Sequence, residues 1–331
     1  MTSSLALLVL GAQPNPPGDL ALFCQREGIV GVSVAIASHG KVTTYEGGFA
    51  DREAKKKVTA ETRFRLGSIS KPVTAVLVMK QVERGKLNLH QGVSVWIKGF
   101  DDKGGKVNLR RVLSHTAGIR HYQPGKSDAQ FRPFTVAEGL AVFAKDPLLF
   151  EPGEKYSYST HGLTLAAAAL ETAAGTSFAD LVASLGFDSL RVEERSKEGV
   201  RSRLYAKATP FPRLEAKEED ISWKAGGGGM ESTAADLAKF AYGVMDGSLV
   251  RSASRAQMWT RQSLNNDRLT AYGLGWSAMS NGKWGHSGSQ QGCSTLMICD
   301  PAAKKAVVVM ANTSGVGPAV KRLADLALSW N

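Results

Sequence analysis

Cysteine is scarce, with three residues in 331, and that excludes a disulfide scaffold. Cys293 and Cys299 stand six positions apart on one strand-like stretch, about 20 Å at the usual rise and too far to bridge. No apolar run approaches the roughly 18 residues that a membrane-spanning helix needs, so the chain is not transmembrane in that way. There is no zinc-finger spacing, no H-E-x-x-H, no C-x-x-C and no histidine pair at metal-ligand spacing, so neither a metal nor another cofactor is expected. Gly125-Lys126-Ser127 ends like a phosphate-binding loop, but Arg120 stands where its first glycine belongs. Gly226 to Gly229 lack the G-x-G-x-x-G spacing, and no G-x-S-x-G elbow occurs. RNA-binding signatures and basic–aromatic interleaving are missing too, which argues against a nucleic-acid partner.

What is present is an ordinary globular composition, 43% hydrophobic and 21% charged. A chain near this length buries about 75% of its unfolded surface without staples. The unusual number is the charge: 41 basic against 30 acidic residues, net +11. It is spread out, and its longest basic run is Lys55 to Lys57. Such spreading reads as a solvated basic surface, and an anionic-polymer binder rests on charge alone.

Leu5 to Ala12 followed by Gln13-Pro14-Asn15-Pro16-Pro17-Gly18 reads in two ways. It is either the apolar core and end of a secretory signal, lacking a basic residue before it, or a plain buried segment. The first reading exports the protein to the periplasm or the exterior; the second leaves it cytoplasmic. Residues 1–18 are therefore set apart as a leader, and 19–331 form one domain.

Val32, Val34 and Ile36 alternate with small or polar residues, then a His39-Gly40 turn leads into Val42 to Tyr45, the pattern of a strand hairpin. Helical spacing marks 68–84, 135–145, 161–174, 178–185, 233–245 and 316–329. Strand-like stretches return at 272–277, 283–286, 293–299 and 306–311. Strands at both ends and helices in the middle predict an α+β fold, with one antiparallel sheet built from both chain ends. The sheet lobe would comprise about 19–75 and 220–331, and a mostly helical inserted lobe about 76–219.

Ser-x-x-Lys occurs three times. Ser38 to Lys41 and Ser280 to Lys283 straddle turn dipeptides and point to solvent. Ser68-Ile69-Ser70-Lys71 instead opens an apolar helix, where positions i and i+3 share one face. A helix N-terminus offers N–H groups and a positive dipole end to an oxyanion. Apolar surroundings would desolvate Lys71 and lower its pKa, so that its neutral amine can act as a base. Ser68 could equally be an N-cap. His115 and His121 flank Gly118 and read as loop hydrogen-bonders, and Ser232 or Thr233 caps the 233–245 helix with Asp236 at capping-box distance.

Four further stretches accompany this tetrapeptide: Leu113-Ser-His-Thr-Ala-Gly-Ile119, Glu151-Pro-Gly-Glu-Lys-Tyr-Ser-Tyr-Ser-Thr-His-Gly162, Ala225-Gly-Gly-Gly-Gly-Met-Glu-Ser-Thr-Ala-Ala-Asp-Leu237 and Gly285-His-Ser-Gly-Ser-Gln-Gln-Gly292. In this order and spacing the chain resembles the serine β-lactamase and penicillin-binding-protein-like superfamily, on its class C, DD-peptidase and family VIII carboxylesterase side. Its texture is similar to mitochondrial serine β-lactamase-like proteins and their bacterial relatives. The resemblance runs from about residue 20 to the end and implies a β-lactamase/transpeptidase-like fold, with a site where sheet and helical lobe meet. It implies Ser68 as nucleophile, Lys71 as its activator and Tyr158 as proton shuttle. Thr160 stands where the family's Y-x-N motif has Asn. His286-Ser287-Gly288 matches the K-T-G element of the edge strand and, with Thr160, would contact substrate. The backbone N–H groups of Ser68 and Ser289 would form the oxyanion hole.

A histidine at 286, mostly neutral at pH 7, replaces a permanent cation suited to a free carboxylate. The expectation is therefore a serine hydrolase acting through an acyl-enzyme on a small ester, peptide or lactam-like substrate, with weak or no β-lactamase activity. The alternative is a vestigial binding or self-assembling protein on the same fold.

Overall fold

The computed structural model describes residues 20–123, 134–193, 201–215 and 218–330. The leader, most of the 122–134 loop and parts of the 191–221 stretch lie outside the described residues.

One sheet dominates. It contains β1 (Gly31–Ser38), β2 (Lys41–Asp51), β3 (Lys56–Lys57), β4 (Ser277–Ala278), β5 (Trp284–Gln290), β6 (Cys293–Asp300) and β7 (Lys305–Ala311), in the order β3-β2-β1-β7-β6-β5-β4. Its named strand pairs are antiparallel, and Val34 lies opposite Tyr45 on one side and Val309 on the other. The first long strand and the last are thus neighbours, as the strand-rich chain ends predict. The β1–β2 turn places His39 and Gly40 at φ 51° and 76°, the left-handed pair that a two-residue hairpin requires.

Alternation along the strands feeds two cores. Val32, Val34, Ile36, Val307 and Val309 pack against α1 (Leu20–Glu27) and a C-terminal helix, Gly317–Ala327, through Leu20, Cys24, Val320 and Leu323. Ala35, Ala37, Met297, Val308 and Met310 face the other way, toward α2 (Ser70–Glu83), α3 (Thr160–Ala174) and α4 (Ala234–Asp246). α4 starts on Thr233, whose hydroxyl accepts the Asp236 N–H, and stops at left-handed Gly247.

The expected elements are present with shifted ends, except for one strand. The 135–145 helix is regular only over Val136–Ala141, behind a Thr135–Glu138 capping box. The 272–277 stretch is not a strand: Gly273 to Trp276 form a turn, Gly275 takes φ 78°, and Tyr272 bridges back to Ser277. The strand expected to end at residue 286 continues to Gln290.

A small ladder sets the entry to α2. Phe64–Arg65 pairs with Met230–Ser232, which pairs in turn with Arg191–Val192. Beside it, buried Glu193 accepts from Arg65 Nε and Nη2 at 2.8 Å each and from Arg201 at 2.7 Å. Buried ion pairs of this kind contribute little net stability but are costly to break; here they tie the segments of Glu193 and Arg201 to the strand that delivers Ser68.

Candidate active site

A 3₁₀ turn, Gly67–Ile69, leads into α2 and lifts Ser68 to the helix N-terminus, where it alone in the turn is half-buried. The Ser68 hydroxyl is not a cap. Nor is Ser70, which donates from Oγ to the Gly67 carbonyl at 2.8 Å and so ties the turn to the start of α2. One turn on, Lys71 is fully buried. Its Nζ lies 3.0 Å from Ser68 Oγ, 3.2 Å from Thr160 Oγ1 and 2.6 Å from the Gly227 carbonyl.

Burial pushes the Lys71 amine well below the ordinary lysine value, and the nearby Lys224 charge pushes the same way. The Gly227 carbonyl can only accept. A neutral amine that donates to Gly227 and Thr160 has its lone pair left for the Ser68 proton. The arrangement can therefore remove that proton, which is what a Ser–Lys dyad requires.

Tyr158 closes the triangle. Its phenol lies beside Ser68, and burial pushes its pKa well up, so it stays protonated at neutral pH. Lys71 Nζ sits 4.7 Å from the Tyr158 ring centroid. Two imidazoles fix this segment from behind. Ser159 N–H donates to His115 Nδ1 at 3.2 Å, and Thr160 N–H donates to His121 Nδ1 at 3.1 Å. These are amides at the start of α3, where no intrahelical partner exists. His115 packs its ring 4.4 Å from Tyr158 and 4.6 Å from Tyr272. Burial, with Lys71 nearby, pushes its pKa well down, so it stays neutral.

His286 is buried in the edge strand β5 and is committed at both nitrogens. Nδ1 lies 2.6 Å from the Ser287 carbonyl, so it must donate; Nε2 then accepts from Tyr272 Oη at 2.8 Å. Desolvation and Lys71 push its pKa down to about 3. The ring is neutral at this end of the site. Ser287 alternates to the opposite face of β5, where it lines a groove of about 880 Å³ with Leu296 and Pro318. Thr160 is turned inward as a partner of Lys71.

β4 pairs with β5 only at Trp284 and Gly285, so among the described residues the rest of that edge carries no strand and packs on the turn holding Ser68. Gly67 makes this approach possible. It takes φ 54°, and a Cβ there would fall 2.9 Å from Ser289 N and 3.1 Å from Gly288 Cα. Gly288 likewise has no room, since its Cβ would meet the Leu66 carbonyl at 2.1 Å. The Ser289 N–H is thereby brought beside the residue preceding Ser68. Gly67→Ala is expected to lower kcat at least about tenfold, because a shift of about 1 Å in such a site can cost a hundredfold. Steady-state kinetics on a folded variant check this; an unchanged kcat would mean that the contact is not part of the site.

The site thus brings Ser68, Lys71, Tyr158 and Thr160 together, with the Gly288–Ser289 backbone alongside. Sequence reasoning missed Tyr272, Gly227 and Lys224, and it gave His115 and His121 only a loop role. Tyr272 lies fourteen positions before His286, inside a stretch read as a plain strand. For His121 and Lys224 the sequence offers one hint, an aromatic neighbour in each case, His121-Tyr122 and Trp223-Lys224.

A Beta-lactamase family model matches residues 20–329. A penicillin-binding protein of Bacillus subtilis (strain 168) is 28% identical over 297 residues, covering 80% of this chain and 64% of that protein. Esterase EstB of Burkholderia gladioli is 33% identical over 199 residues, covering 55% of this chain and 50% of that protein. The chain therefore spans less than two thirds of either relative. Among solved structures, the D-amino acid amidase from Ochrobactrum anthropi SV3 superposes with a TM-score of 0.79 at 21% identity, covering 94% of this chain and 97% of that one.

Proposed function

The chain belongs to the beta-lactamase family, and from that premise we propose that it is a serine hydrolase working through an acyl-enzyme on esters or amides. The observation that carries this is Lys71 Nζ, fully buried and 3.0 Å from Ser68 Oγ. Ser68 Oγ bonds to the substrate carbonyl carbon while Lys71 takes its proton. The oxyanion is stabilised by the Ser68 and Ser289 backbone N–H groups. As the tetrahedral intermediate collapses, the bond to the leaving group breaks. Tyr158 gives that group its proton and recovers one from Lys71. Water then attacks the acyl-enzyme by the reverse proton route, freeing Ser68.

Esters and amides are favoured over β-lactams because position 286 holds no fixed cation for a lactam carboxylate. The esterase and amidase relatives support the same reading. The test is a panel of short acyl esters, D-amino-acid amides and β-lactams. At least one ester or amide is expected to turn over about tenfold or more faster than any β-lactam, with a covalent acyl adduct visible by mass spectrometry. Comparable β-lactam rates would overturn the preference. No turnover and no adduct from folded protein would overturn the hydrolase reading in favour of a vestigial binding protein.

A further inference from the structure

Lys224 is a second buried lysine, whose charge helps to hold Lys71 neutral but which takes no other part in the proposed mechanism. It ends the 3₁₀ turn Ser222–Lys224 and keeps only 4% of its surface. Its Nζ lies 5.1 Å from the ring centroids of both Tyr122 and Trp223. Among the described residues the ammonium makes no hydrogen bond and no ion pair, and it is not among the polar atoms sealed from solvent. A Cβ built on Gly228 would lie 3.5 Å from Lys224 Cδ and 3.6 Å from Gln290 Oε1. The lysine stem and the Gln290 side chain at the end of β5 thus both lie against Gly228, next to Gly227, whose carbonyl holds Lys71.

Burying a cation without a partner is costly, and the local carboxylates do not explain this one. Glu193 acts on Lys224 through space, but it is already held by Arg65 and Arg201. Glu219, half-buried, also acts only through space, and neighbouring Arg65 opposes both. Desolvation brings Lys224 down to about 8, which leaves it mostly charged at pH 7. The rings of Tyr122 and Trp223 supply a cation–π setting that tolerates the charge without neutralising it.

The position matters as much as the charge. His286 and Gln290 stand four residues apart on β5, roughly 13 Å at the usual rise. Ser289, with its N–H against Gly67, the residue preceding Ser68, falls between them. One end of the site is the neutral His286–Tyr272 pair. The other end, by Gln290, carries the unpaired ammonium.

We propose that Lys224 anchors an anionic group of the substrate, a carboxylate, at the Gln290 end of the site, so that the enzyme prefers acyl compounds carrying a negative charge there. This rests on the hydrolase reading above. It makes Lys224 a specificity-determining residue placed across the nucleophile from position 286.

The test compares p-nitrophenyl butyrate with mono-p-nitrophenyl glutarate, which carries a terminal carboxylate, in wild type, Lys224→Met and Lys224→Arg. Wild type is expected to favour the glutarate ester about tenfold or more in kcat/KM, mainly through KM. Lys224→Met should collapse that ratio at least tenfold, and Lys224→Arg should keep most of it. The ratio is the readout, because a merely structural lysine would depress both esters together. An unchanged ratio in Lys224→Met, or a wild type favouring the neutral ester, overturns the proposal. Should wild type hydrolyse neither ester nor any member of the panel above, it is the hydrolase reading that fails. The anion site is then read by tryptophan fluorescence, titrating monomethyl glutarate against its dimethyl ester. Saturation by the monoanion in wild type but not in Lys224→Met supports the site; identical titrations overturn it.

Discussion

Ser68→Ala is expected to abolish covalent labelling by a fluorophosphonate probe and to lower turnover by about a thousandfold or more, while leaving the fold intact. The structure says why these two effects separate. Removing a helix cap would cost about 1 kcal/mol, but the Ser68 hydroxyl caps nothing, and Ser70 makes the local bond to Gly67. Removing Oγ leaves Lys71 with Thr160 Oγ1 and the Gly227 carbonyl, so no buried amine is stranded. The stability change should stay within roughly 1 kcal/mol, the net worth of one hydrogen bond, and circular dichroism should be unchanged. Labelling of wild type only identifies a live nucleophile at Ser68. Equal labelling of both proteins would place the nucleophile elsewhere. A folded wild type that takes no label would sink the hydrolase reading.

Sequence periodicity reaches the sheet because strand alternation and helix spacing are local. Val32, Val34 and Ile36 announce β1 by themselves, and a long helix after Ser68 follows from its apolar face. The Ser-x-x-Lys pair was legible for the same reason, since i and i+3 on a helix must be neighbours. Contacts across the chain were not legible. Nothing in the His286 stretch announces that a tyrosine fourteen residues earlier will take its Nε2. Nothing in His121 says that it will accept the first amide of a helix 39 positions away. Gly226 to Gly229 failed to match a nucleotide-binding spacing, and nothing in the run told what these glycines admit. A Cβ on Gly227 would strike Thr160 Cγ2 at 2.7 Å, and it is this approach that brings the Gly227 carbonyl to Lys71. Lys224 looked like one of 41 basic residues on a solvated surface, and only the fold reveals that it is inside.

Lys71→Met is expected to cut acylation about a thousandfold or more at pH 7, and Lys71→Arg should not restore it. A base is needed, and a guanidinium is always charged. Its planar fork would also have to fit where a single amine meets Ser68, Thr160 and Gly227. The wild-type rate should fall as the pH drops through the folded-state pKa of Lys71, because protonation occupies the lone pair that takes the Ser68 proton. Lys224→Met removes a neighbouring cation, so that acid limb should move to higher pH. The same shift predicts a stability signature that a purely structural lysine would lack. Unfolded, the amine titrates near 10.5; folded, it is held well below that value. Between the two values the unfolded chain binds the extra proton, so wild-type stability rises with pH there. The methionine variant has no such group. The stability difference should therefore move in favour of wild type as the pH climbs toward 10, as read by denaturant midpoints across the series. A difference that stays flat would mean that Lys71 keeps its proton in the folded protein. Lys71 would then orient Ser68 as an ammonium, and the removal of the Ser68 proton would pass to Tyr158, whose burial makes it a poor base at neutral pH.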